Sequence, residues 1–136
     1  MANTLKLQII TPEGTAYSED VDMVTLPGVE GQIGILPHHV WLMTQMVPGE
    51  MIVRRDGHTD YLAVGGGLVE VTGDRVSILT DMAIAAENID EARAEEARVR
   101  AAARLREKIS DEDVASVNAA LVRSLTQLKI KRRRRV

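Results

Sequence analysis

The sequence predicts a mixed fold: an N-terminal antiparallel β-sandwich followed by an antiparallel two-helix hairpin. Three distributions predict it. All 10 glycines and all 4 prolines lie within the first 73 residues. Alanine runs the opposite way, with 3 before residue 74 and 12 after it. Gly and Pro punctuate turns and are excluded from helix interiors, whereas Ala is the best helix former. Charge divides at nearly the same place. Residues 1–86 carry 4 basic and 11 acidic side chains, and residues 87–136 carry 13 basic and 9 acidic. The expected domains are therefore a sandwich over 1–86 and a helical hairpin with a basic tail over 87–136. An acidic body trailing a basic arm reads as a device that touches several partners rather than as a lone enzyme.

Leu5-Lys6-Leu7-Gln8-Ile9 alternates with period two, the pattern of a strand with one buried face, and Pro12-Glu13-Gly14 ends it. Val21 to Leu26 forms a second candidate strand, closed by Pro27-Gly28, and Gly31 to Leu36 a third. The apolar run Val40-Trp41-Leu42-Met43 follows, and Pro48-Gly49 turns the chain again. Met51 to Arg55 and Thr59 to Val64 flank Asp56-Gly57, a pair suited to the positive φ angles of a tight hairpin turn. A second hairpin joins Leu68–Val71 to Arg75–Leu79 through Gly73-Asp74. Seven or more short, regularly spaced strands form a sandwich, because only facing sheets bury that many apolar faces.

After Ala86 the period changes. Ala94, Ala97, Ala101, Leu105 and Ile109 make one stripe of a helix over roughly 89–108, and Val114, Val117, Leu121, Leu125 and Leu128 one over roughly 112–130. Asp90 is placed to cap the first helix and Ser110 or Asp111 the second. The short connection predicts an antiparallel hairpin. The first stripe is mostly Ala and buries little area per residue. At ~25 cal/mol per Å² that seam does little against roughly 1–2 kcal/mol of backbone entropy per ordered residue. The arm is expected to be marginal alone and positioned by what it contacts.

The bulk composition excludes several classes. There is no cysteine and no Phe, so the core is built from Val, Ile, Leu and Met, and neither disulfide nor thiolate chemistry is available. The start, Met1 to Lys6, lacks the basic and apolar regions of a signal peptide, and no apolar run is long enough for a membrane helix. His38-His39 suggests a metal site, but adjacent strand residues point to opposite faces and His58 belongs to a distant hairpin, so a structural or surface role is expected. No metal site is assigned. Gly28, Gly31 and Gly34, and the run Gly65-Gly66-Gly67, lack the Lys-Ser/Thr of a phosphate loop and read as turns or bulges. No nucleophile stands in a catalytic context, so no catalytic residue is assigned.

The arginines of the arm carry more. Arg93, Arg100 and Arg104 share one helical face, while Arg98 points elsewhere. Such a face is ordinarily solvated, but guanidinium forks also dock acidic partners or phosphates. The densest charge is Lys129-Ile130-Lys131-Arg132-Arg133-Arg134-Arg135. Alone it suggests nucleic acid or an anionic lipid surface. Without interleaved aromatics, and behind an acidic body, it reads instead as a frayed tail of general electrostatic attraction.

Three ordered stretches carry a family resemblance. Gly31-Gln32-Ile33-Gly34-Ile35-Leu36-Pro37-His38-His39-Val40-Trp41-Leu42-Met43-Thr44 resembles a G-x-[IL]-G-[IVL]-x-P-x-H-x-P-L-x-T segment. Gly66 to Val71, followed by Val76 to Leu79, resembles a glycine pair leading into a hairpin, and Ile89-Asp90-Glu91-Ala92-Arg93-Ala94 an I/L-D-x-x-R-A motif. Together they are similar to the epsilon-subunit family of bacterial F-type ATP synthases, called delta in mitochondria, over essentially the whole chain.

The resemblance implies a ten-stranded sandwich at the foot of the central stalk, against the gamma subunit and the c-ring, turning with both. It also implies an arm that lies folded beside the sandwich, or extends along gamma into the alpha–beta hexamer and blocks hydrolysis. The implied location is peripheral, on the cytoplasmic face of the bacterial inner membrane, with membrane contact only through the complex and no nucleic acid partner. Glu30, Gly31 and Gln32 correspond to the loop facing the c-ring, with Gln32 where an acid is common. Trp41 stands where proline is usual. Partner docking falls to Arg93, Arg100, Arg104 and Arg123 on the helices and to His39 and Trp41 on the body. In members that bind ATP between the helices, the matching residues are Ile89, Asp90, Arg93, Ala94, Arg100 and Arg123. Ile84 and Gln127 replace the Glu and Arg of those binders. The implied cofactor is none, or ATP as a weak regulator.

Overall fold

The structure, a computed structural model, describes residues 3–107 and 109–134. Met1, Ala2, Lys108 and Arg135, which entered the readings of the N-terminus, the first helix and the tail, lie outside the described residues, as does Val136. Ten strands come first: β1 (Leu5–Thr11), β2 (Gly14–Val21), β3 (Met23–Gly28), β4 (Gly31–Ile35), β5 (Leu42–Met46), β6 (Gly49–Arg55), β7 (His58–Val64), β8 (Gly67–Thr72), β9 (Arg75–Thr80) and β10 (Ala83–Ala85). A 3-10 turn at Ala86–Asn88 leads into α1 (Glu91–Leu105) and α2 (Asp111–Arg133).

Strand β3 organises the body. Met23–Thr25 pair with β6, Gly28 meets Met46 of β5, and the opposite edge pairs with β4. Two five-stranded sheets result, β10-β7-β6-β3-β4 and β5-β8-β9-β1-β2, joined at that single Gly28–Met46 pairing. The ladders are antiparallel except β1 with β9, which run parallel over Lys6–Ile10 and Arg75–Leu79. Parallel neighbours need a long crossover, and the seven strands between β1 and β9 supply it. Inward residues at period two fill the interior: Leu5, Leu7, Ile9, Val69, Val71, Val76 and Ile78 from one sheet, Val24, Leu26, Met51, Val53, Leu62 and Val64 from the other. With no Phe in the chain, this core is wholly aliphatic apart from the half-buried Tyr17 at its edge.

Two strands are not marked by the apolar pattern. β2 is an edge strand whose residues are exposed or half-exposed up to Val21, so alternation is lost, and Val21 closes β2 rather than opening β3. β10 has only three residues. The run at Val40–Met43 is also displaced: β5 begins at Leu42, which pairs with Val71, and Val40 and Trp41 lie outside the ladder. The hairpin turns agree with their residues. Asp56 and Gly57 take φ of 48° and 77°, both in the left-handed region that a tight hairpin needs. Gly67 is required for a different reason, since a Cβ there would overlap the Leu79 carbonyl across the β8–β9 ladder.

In the arm, Asp90 accepts from the Arg93 amide at 3.1 Å and Ser110 from the Asp113 amide at 3.2 Å, capping both helices. Ala94 and Ala101 are buried against α2. The expected stripe on α2 needs correction at Leu125, which is 46% exposed, while Ser124 is buried with its hydroxyl on the Ala120 carbonyl. Facing an Ala seam, a small side chain that satisfies its own hydroxyl permits close helix approach better than leucine does. The C-terminal half of α2, from Arg123 onward, reaches the body. Ile130 joins Ala63, Met82, Ala86 and Ile89 in a small second core, flanked by Tyr61 and Ile84.

Candidate docking surfaces

A cleft of about 410 Å³ opens between the two helices and the end of the sandwich. Asp90, Arg93, Ala94 and Arg100 line it from α1, Arg123, Ser124 and Gln127 from α2, and Ile84 from β10. Five of the six residues that the resemblance connects with ATP are thus brought together. Ile89 is not on the cleft wall; it is 3% exposed and lies in the second core, anchoring the arm to the body. The cationic groups are partly engaged. Arg123 donates to Asp81 at 3.2 Å, and Arg100 lies 4.0 Å from Glu96 with both side chains largely exposed. Arg98 pairs with Glu95 on the flank, away from the cleft. Arg104 is exposed one turn beyond Arg100 and does not line the cleft.

At the far end of the β3–β4 hairpin, Gly28 pairs with Gly31, leaving Val29-Glu30 as a two-residue tip. Gly31 takes φ of 122°, which only glycine adopts freely. Glu30, Gly31 and Gln32 are all exposed there, and Val29 is 59% exposed. Along the segment before β5, Val40 and Trp41 are 76% and 77% exposed. His39 is half-buried, its Nδ1 2.7 Å from the Val40 carbonyl, and His38 Nε2 lies 3.1 Å from Asn3 Oδ1. Neither histidine meets a metal-ligating partner, and no cluster of three or more His, Cys, Asp or Glu suited to a metal occurs among the described residues.

A surface not anticipated from the pattern runs across the outer face of β5, β8 and β9. Met43, Leu68 and Leu79 are 68%, 50% and 53% exposed, and Leu68 and Leu79 are direct cross-strand partners. Ile10 pairs with Leu79 on the next strand. The sequence signal was present: Leu68 and Leu79 are apolar residues at the outward positions of alternating strands. Ile10, Leu79 and Leu68 form one apolar row, with Gln45 opposite Leu68 and Glu70 opposite Met43 at its β5 side, and exposed apolar patches of this kind mark interaction surfaces.

The tail corrects another expectation. It is not frayed through Arg134, because α2 runs to Arg133 and its arginines are engaged. Arg132 pairs with Glu91 at 2.8 Å and Glu95 at 3.5 Å, tying the end of α2 to the start of α1. Arg134 and Arg133 reach Glu50 on β6. Those two guanidinium groups hold the Glu50 carboxyl below the usual carboxylate range, against the opposing effect of burial, with the Arg134 hydrogen bond the largest cause. Glu50 and its neighbour Tyr61 were not singled out from sequence; a lone acid in the apolar strand Gly49–Val53 was the available sign.

Comparison with known proteins follows the same division of the chain. Residues 4–86 match the family model described as the beta-sandwich domain of the ATP synthase Delta/Epsilon chain, and residues 87–132 the model of its long alpha-helix domain. The ATP synthase epsilon chain of Herpetosiphon aurantiacus is 44% identical over 131 residues, covering 96% of each chain. That of Dehalococcoides mccartyi is 44% identical over 132 residues, covering 96% of this chain and 94% of the relative. Among solved structures, a chain of the Euglena gracilis mitochondrial ATP synthase OSCP/F1/c-ring assembly superposes with a TM-score of 0.70 at 24% identity, covering 90% of this chain and 78% of that one. A chain of the Tetrahymena thermophila central stalk/c-ring assembly gives 0.62 at 14% identity, covering 93% and 96%.

Proposed function

This chain belongs to the ATP synthase delta/epsilon family and is a structural, non-catalytic subunit of that enzyme; from this premise we propose its place in the rotor. It sits in the central stalk and couples gamma to the c-ring during proton-driven ATP synthesis. Its arm restrains ATP hydrolysis by leaving the body and entering the alpha–beta hexamer. The complex holds it on the cytoplasmic face of the bacterial inner membrane. No helix among the described residues is long and apolar enough to cross a membrane.

The observation that carries the reading is the exposed apolar face of Met43, Leu68 and Leu79 on a body whose core is already complete. Such a face gains by covering, and gamma is the partner assigned to it. The Glu30–Gln32 tip, with Val29, is assigned to the c-ring. The exposed arginines Arg93, Arg100 and Arg104, with Arg123, are assigned to acidic loops of the beta subunits once the arm extends. An adaptor for nucleic acid or anionic lipid is less well supported, because Arg132, Arg133 and Arg134 already pair with carboxylates of the same chain.

Deleting residues 88–136 tests the inhibitory role in the assembled enzyme. ATP hydrolysis should rise while assembly and proton coupling persist. A truncated enzyme that hydrolyses ATP no faster than the intact one refutes the inhibitory role.

ATP itself is proposed to bind weakly or not at all. Ile84 and Gln127 bring no charge to the cleft, and Arg123 is shared with Asp81. One missing charged contact costs about 1.5–3 kcal/mol, a tenfold or larger fall in affinity. Calorimetry on the isolated chain should give no micromolar binding; a micromolar constant overturns the proposal.

A further inference from the structure

Glu50 is the one buried carboxylate among the described residues, its side chain 6% exposed, on a strand whose alternate residues Met51 and Val53 face the core. An unpaired charge in that position would be costly, so what covers and pairs it matters. The cover comes from the other end of the chain. Arg134 donates from Nε to Glu50 Oε2 and from Nη2 to Oε1, both at 2.9 Å, a two-point fork. Arg133 adds a bond from Nη1 to Oε1 at 3.4 Å. The Arg134 guanidinium also lies 4.0 Å above the centre of the Tyr61 ring, on the adjacent strand. One turn earlier, Lys131 Nζ donates to the Ala86 carbonyl at 3.3 Å.

We propose that Arg133 and Arg134 form a latch that closes on Glu50 and Tyr61 and sets how much of the time the helical arm stays docked on the sandwich. The geometry favours a latch over incidental surface pairing for three reasons. The fork is two-point and its acceptor is shielded from water, where charge-assisted hydrogen bonds are strongest. The contact lies at the end of α2, so opening it loosens the helix end whose Ile130 packs in the second core beside Ile89. Elsewhere the arm meets the body through Ile89 and Ile130 in the second core, the Lys131–Ala86 bond and the partly exposed Arg123–Asp81 pair, none of which is a two-point fork on a buried acid. When the arm leaves, Glu50 regains water and the body keeps its own aliphatic core, so opening need not unfold the sandwich.

The inference goes beyond the rotor reading and does not depend on it, because the latch belongs to the isolated chain. Hydrogen exchange read by mass spectrometry on the full chain tests it. In Arg133→Gln/Arg134→Gln, amides of residues 120–130 should lose about tenfold in protection, while those of β8 and β9 keep theirs. Glu50→Gln should do the same, and the triple variant should lose no more than either alone, since all three substitutions break one contact. Unchanged arm protection in Arg133→Gln/Arg134→Gln, parallel loss in arm and sheet, or additive losses overturn the latch. If Glu50→Gln also loosens the sheet, Arg133→Gln/Arg134→Gln decides alone by the same comparison. In the assembled enzyme the unlatched variants should be more strongly inhibited in hydrolysis. If the exchange result holds and inhibition does not change, it is the inhibitory reading that fails, not the latch.

Discussion

Tyr17 and Asp60 illustrate how single residues bind the edge of the body together. The Tyr17 hydroxyl donates to Asp60 Oδ2 at 3.4 Å, and Arg55 Nε donates to the same oxygen at 3.1 Å, joining β2 to the β6–β7 hairpin. Burial pushes the Tyr17 phenol up to about 12; Arg55 opposes the rise and Asp60 adds to it. Tyr61→Phe leaves Tyr17 as the only tyrosine, so its ionisation can be followed by ultraviolet difference spectroscopy. The midpoint should fall near 12, and a midpoint at the ordinary 10.0 would show that the ring is solvated. Residue-level roles divided sharply in legibility. The caps Asp90 and Ser110 were readable because capping is local chemistry. Glu50, Tyr61 and Asp81 were not, because each acquires its role from a partner more than 40 residues away.

Among the elements, α2 is the one whose position is open to adjustment. It is held to the body by Ile130 and a set of charged contacts rather than by a broad apolar face. The contribution of Glu50 therefore varies with pH in a defined direction. Arg134 and Arg133 hold its carboxyl below the usual range when the arm is docked, and that cause is removed when the arm leaves. Docking strength from this group is complete above the ordinary carboxylate range and is lost as pH falls through the lowered docked value. The chain has no cysteine, so His58→Cys/Val122→Cys accepts a pair of fluorescent labels cleanly. Energy transfer should stay constant from neutral pH down to the ordinary carboxylate range, then fall as the pH drops below that range. In Glu50→Gln the acid limb attributable to this group should vanish. A limb equal in both proteins would assign the pH response to other carboxylates, such as Glu95, which Arg98 and Arg132 also hold below its usual range. Strands were legible wherever one face was buried, and β2 escaped because an edge strand exposed on both faces has no apolar period to read.

As a whole molecule, the chain combines a body that is finished as a folding unit with an arm that is not. The sandwich buries its aliphatic core between two sheets and still leaves Met43, Leu68, Leu79, Val40 and Trp41 in water. The arm turns Arg93 and Arg100 into the open cleft, leaves Arg104 exposed beyond it, and docks through the C-terminal half of α2. A molecule so built is expected to be completed by neighbours, and this is why truncation after the sandwich is the informative test of function. It removes the adjustable part and leaves the exposed apolar face of the body intact. The same division explains why the cleft between helices and body is open and cationic without being a tightly closed pocket: its walls belong to two parts joined by a small second core.

By itself the sequence determined the two-part architecture, the hairpin turns, the helix caps and the family. All of these follow from composition, periodicity and ordered motifs, which are properties of neighbouring residues. Only the tertiary structure decided which outward positions form one apolar face, which arginines stay free and which are spent on carboxylates of the same chain. It also turned the basic tail from a loose end into a contact with a buried acid. The physical reason is that burial and charge pairing are pair properties: Arg134 and Glu50 lie 84 residues apart, and no local pattern in either segment encodes the other.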